Sequence, residues 1–154
     1  MTPRTMRSLI WASVVLELVG LGVDALWHGL LHPEFEGTSR GEMARHLLGV
    51  HLLLYLGVLA LLAATLTALI ARARTGRVGL ATPVMVTGAA AQTTGEAWHA
   101  YSHLALRPNP VPELLGFVGL AAVVAALVAS RGDGTSAEDR RRSSPSATRA
   151  RARR

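Results

Sequence analysis

The chain has 154 residues, half of them hydrophobic and only 17% charged, with a mean hydropathy of +0.32; a soluble globule of this size would expose too much apolar surface. It contains no cysteine, which excludes disulfides, thiolate metal sites and thiol catalysis. The net charge of +6 belongs mostly to one end: every basic residue is Arg, and eight of the 16 fall within residues 131–154.

Four runs are long and apolar enough for a bilayer-spanning helix, which needs about 20 such residues. The first, 8–31, is interrupted by Glu17 and Asp24 and closes on Trp27 and His28, with His32 just beyond. Arg4 and Arg7 precede it as they would a signal peptide, but no small-x-small cleavage site follows. The second run, 44–71, lies behind Glu42 and carries His46, His51 and Tyr55. The third, 82–105, has Pro83 at its start, a favourable first-turn residue, and carries Gln92, Glu96, Trp98, His99 and His103. The fourth, 112–130, has Glu113 in its first turn, where an acid complements the helix dipole. The runs are too continuous for barrel strands, which leaves helices. The expected fold is all-α: a polytopic four-helix transmembrane bundle over residues 1–130, then a disordered Arg-rich tail at 131–154.

Arginine placement orients such a bundle. The amino terminus, the loop with Arg72, Arg74 and Arg77, and the tail hold 13 Arg, against three on the other side (Arg40, Arg45 and Arg107). The expectation is a multi-pass cell-membrane protein with both termini cytoplasmic and the loops at 32–43 and 106–111 outside. The tail suits contact with anionic lipid. Nucleic acid is not an expected partner, because no aromatic residue interleaves the tail's charges. A homo-oligomer or a place in a larger membrane complex stays open.

The sequence repeats. Asp24-Ala-Leu-Trp-His, three residues, His32 matches Glu96-Ala-Trp-His, three residues, His103, with one extra Leu in the first copy. Trp27 and Trp98, His28 and His99, His32 and His103, and Glu42 and Glu113 are each 71 positions apart. A duplicated two-helix hairpin explains this, and an even number of spans per unit makes the copies parallel.

All six His fall in the half of the bundle expected to face outward, with Asp24, Glu42, Glu96 and Glu113. Ionisable residues at membrane depth face the bundle interior and pair with something. No Arg lies at that depth to pair with these acids, so the cation must come from outside. Asp24 and His28 are i, i+4, and Glu96 and His99 are i, i+3, a carboxylate–imidazole spacing found in di-metal bundles. The principal candidate ligands are therefore Asp24, His28, His51, Glu96, His99 and His103. Glu17, His32, Glu42 and His46 are weaker candidates. On a straight helix His46 lies about 140° from His51, which places His46 at the mouth beside Glu42 and His51 deeper. Trp27 and Trp98 are expected to wall the site. Imidazole with carboxylate suits Zn, Fe, Mn or Cu(II).

The leading expectation is thus an integral membrane protein with a His/carboxylate metal site in the extracytoplasmic half of the bundle, acting as a metal-dependent oxidoreductase or in metal handling. One alternative is a membrane haem b protein with His28 and His99 as axial ligands. Others are a proton-coupled transporter and a structural or accessory subunit without chemistry.

Overall fold

The computed structural model describes residues 2–35, 37–76 and 78–130. The tail expected at 131–154 and Arg77 of the charge count lie outside the described residues. Among those described, the elements are α1 (Pro3–Leu26), a π turn (Trp27–Leu31), α2 (Arg40–Val50), α3 (Leu52–Arg74), α4 (Ala81–Leu104) and α5 (Val111–Ala129).

Local chemistry sets several boundaries. The Thr2 hydroxyl accepts the Thr5 N–H at the start of α1. Ser39 accepts the Glu42 N–H at 3.2 Å, while the Glu42 carboxylate reaches back to the N–H and hydroxyl of Thr38 at 3.0 and 2.9 Å. This reciprocal arrangement fixes the start of α2. In the π turn the His32 N–H donates to the Trp27 carbonyl at 2.7 Å, five residues back. A π turn absorbs one residue more than a regular helix, and it lies immediately after Leu26, the extra residue of the first repeat copy.

Two expectations need correction. The run 44–71 is not one helix: α2 and α3 meet at His51, whose backbone sits at φ −90° and ψ 0°. And among the described residues three helical stretches, where four runs were expected, are long and apolar enough to cross a membrane: Arg4–Leu31, Leu52–Arg74 and Val111–Ala129. Helix α4 has the length, at 24 residues, but Thr82, Thr87, Gln92, Thr93, Thr94, Glu96 and its His and Ser residues dilute its apolar character.

α1 packs on α3 and α4 packs on α5, with α3 and α4 joining the two pairs. The apolar core, built on Ile10, Val14, Leu61, Met85, Val123 and Leu127, fills the end of the bundle near the amino terminus. There Arg7 donates to the Leu127 carbonyl at 3.3 Å. The polar residues occupy the other end. Close backbone approach holds each pair: a Cβ on Gly20 would stand 2.3 Å from the Leu54 nitrogen, and one on Gly119 would stand 2.8 Å from that of Gln92. Gln92 lies 72 positions after Gly20, the offset that relates Asp24 to Glu96, whereas Gly119 lies only 65 after Leu54. The two pairs therefore pack in registers about two turns apart. The outward faces remain apolar, with Leu18, Val19, Leu56, Leu59, Ile70, Phe117 and Val118 exposed.

Candidate metal centre

Three imidazoles and one carboxylate converge where α1, the π turn, α2 and α3 meet. His46 Nε2 lies 3.2 Å from His28 Nε2 and 3.2 Å from His51 Nε2. Asp24 Oδ1 lies 3.4 Å from His28 Nε2 and 3.3 Å from His51 Nε2. The three ring nitrogens all lie within 4.8 Å of one another. His46 and His51 are buried, whereas the His28 side chain is 40% exposed.

The bend at His51 brings two of these ligands together. On one straight helix the rings of His46 and His51 would diverge; with the axis broken at His51, both reach the same point. His46, ranked as a weaker candidate from its phase, is the one imidazole that touches both others. Gly49, two residues before the break, is its one local mark in the sequence. Trp27 and Phe35 support the His46 ring, with centroids 4.4 and 4.7 Å from it. Tyr55 stacks on His51 at 5.8 Å.

Protons satisfy at most two of these four contacts at a time. Each ring nitrogen has one lone pair or one N–H, yet each of the three Nε2 atoms faces two neighbours. Four short contacts form a closed circuit, and an N–H directed at one neighbour misses the other. Asp24 Oδ1 is buried and makes no hydrogen bond despite its two imidazole neighbours. A single cation can accept a lone pair from each of the three imidazoles, with Asp24 Oδ1 beside it on the His28 and His51 side. An ion at about 2.0–2.2 Å from its ligands holds adjacent ligand atoms about 2.9–3.5 Å apart, and the four observed separations fall in that range. The donor set of three imidazoles and a carboxylate fits Zn, Fe, Mn or Cu(II).

Cavities lie on both sides of the ring. An outer vestibule of about 400 Å³ is lined by His28, His46, His103, Phe35, Met43 and Leu106. An inner cavity of about 120 Å³ is bounded by Glu17, Asp24, His51, Gln92, Glu96, His99 and Glu113. Leu106 sits at φ +54°, a left-handed conformation costly for a branched side chain, and that turn places it on the vestibule wall.

The remaining candidates occupy different positions. His99 lies behind the ring, its centroid 5.6 Å from that of His51 and 4.3 Å from that of His103, and its Nδ1 stands 3.5 Å from Glu113 Oε1. Glu96 and Glu17 line the inner cavity, and Gln92 Nε2 donates to Glu17 Oε1. His32 is exposed and packs on Trp27 at 4.5 Å. Glu42 serves the α2 cap, and the Thr38 hydroxyl and N–H hold its carboxyl below the usual value, aided by Arg45. The two Trp differ: Trp27 packs against the ring, while Trp98 is 42% exposed and stands with Tyr101, Arg40 and Arg107. Glu42 and Glu113, matched by spacing, likewise do different work. Comparison with protein-family models, with curated proteins and with solved structures finds no match for this chain.

Proposed function

We propose that this chain is an integral membrane protein that captures a divalent transition-metal ion at its outward end, through Asp24, His28, His46 and His51. The observation that carries this reading is the closed circuit of four short contacts, of which protons can satisfy at most two at a time. In this reading α4 crosses the bilayer as a fourth span, its polar face turned to α1, α3 and α5 and away from lipid. The apolar outer faces meet lipid, both termini are cytoplasmic, and a duplicated parallel hairpin underlies the fold, with its second copy repacked by about two turns.

Metal handling is favoured over catalysis: with Asp24 drawn in as a fourth donor beside the three imidazoles, a tetrahedral ion keeps no open position, whereas catalytic zinc sites keep one. The vestibule would then be the route by which the ion enters. A metal-dependent oxidoreductase needs an ion that accepts a fifth ligand from the vestibule side. A haem between His28 and His99 has less support: the His51 ring stands between them, 6.2 Å from the first and 5.6 Å from the second, and the inner cavity is too small for a macrocycle, at about 120 Å³.

Zinc titration of the detergent-purified protein tests the proposal. Tight binding that weakens at least 100-fold in His46→Ala and is unchanged in His32→Ala is expected. Equal affinity in His46→Ala and wild type would overturn it.

A further inference from the structure

The inner cavity has its own unsatisfied chemistry. Four carboxylates line it (Glu17, Asp24, Glu96 and Glu113) with His51, His99 and Gln92, and no arginine does. Glu17 is wholly buried, Gln92 is 2% exposed and His99 8%. The second carboxylate oxygen of Glu17, the Gln92 carbonyl oxygen and His99 Nδ1 are all buried without a hydrogen bond. These are electron-pair donors, or can be, gathered about one space with no positive partner among the lining residues. Gly116 admits the acid that comes closest to α5: a Cβ there would stand 3.1 Å from Glu96 Oε1.

We propose that this cavity binds a second divalent cation, anchored by His99 and Glu113, which already stand at ligand separation, with the Glu96 carboxylate drawn onto the ion as it enters, and adjoining the first through Asp24. His99 Nδ1 and Glu113 Oε1, 3.5 Å apart and not hydrogen-bonded, stand at the separation one ion imposes on two ligands, about 2.9–3.5 Å. Asp24 lines the cavity and also belongs to the histidine ring, so its two oxygens can serve one ion each, as carboxylates do in di-metal helical bundles. Glu17 and Gln92 close the inner end of the cavity and supply oxygen donors there. The oxygen-rich donor set differs from the imidazole-rich ring, which gives the two sites different metal preferences: manganese or iron inside, zinc or copper at the ring.

This inference extends the single-ion reading but uses other residues, so the two fail separately. The test is elemental analysis of the full-length protein in detergent after equilibrium dialysis against zinc or manganese. Close to two ions per chain is expected in wild type. Glu113→Gln, which alters a side chain 54% exposed and so leaves the fold intact, and His99→Gln should each reduce the count to about one. His28→Ala with His46→Ala should also leave about one ion, retained at the cavity. A wild-type count of one that both cavity variants keep and the ring variant loses would overturn the second site and leave the first. No ion in wild type would overturn both, and helix content by circular dichroism separates lost binding from lost fold.

Discussion

His46 holds the ring together because its Nε2 is the atom shared by both imidazole–imidazole contacts. Metal binding requires each ring nitrogen to be unprotonated. Zinc affinity should therefore fall once pH is low enough for protons to compete for those nitrogens, by up to about tenfold per pH unit for each nitrogen. The Glu42 cap does not account for such a loss. Its carboxyl is held low by the Thr38 bonds, so its contribution to stability is present above the ordinary carboxylate range and is lost only when pH falls through the lowered value. Circular dichroism should show constant helix content over the pH range in which titration shows the affinity falling. Helix loss in step with affinity would assign the effect to unfolding. At this scale residue types were legible and directions were not. The acid–His spacings picked out Asp24 and His28, but the place of His46 depended on a break at His51 that only Gly49, two residues earlier, foreshadows.

At the scale of elements, glycine sets how closely α1 and α3 approach. A Cβ on Gly20 would stand 2.3 Å from the Leu54 nitrogen, which belongs to rigid backbone, whereas one on Gly22 meets nothing within 4 Å. Gly20→Ala should destabilise the protein by about 1–3 kcal/mol, the usual cost of overpacking. Gly22→Ala should stay within about 0.5 kcal/mol. Thermal unfolding in detergent compares them, and equal stability of the two variants would contradict the packing described. Gly20 stands only four residues before Asp24, so separating α1 from α3 also pulls the carboxylate from His51. The extra Leu of the first repeat copy was visible as a one-residue discrepancy; the π turn beside it is how a helix absorbs such an insertion. The changed register of the second pair was not visible, because it follows from where small residues permit contact and not from the repeat spacing.

For the whole molecule, composition and the four runs made an all-helical, membrane-like chain legible, and the described residues include three helices apolar enough to cross a bilayer. α4 falls below that threshold because it contributes Gln92, Glu96 and His99 to the cavity; the residues that give it a role also weaken its apolar signal. The chain lacks cysteine, so single introduced cysteines report topology cleanly. With four spans, cysteines at Thr38 and Asn109 should react with an impermeant reagent added outside intact cells, and one at Thr75 should not. Labelling of Thr38 and Asn109 on opposite sides would contradict a spanning α4.

X-ray absorption on the zinc-loaded, full-length protein tests the central claim most directly. The account predicts imidazole scattering in a low-coordinate shell of nitrogen and oxygen at about 2.0–2.1 Å, diminished in His46→Ala. A six-oxygen shell without imidazole scattering, unchanged in that variant, would contradict it.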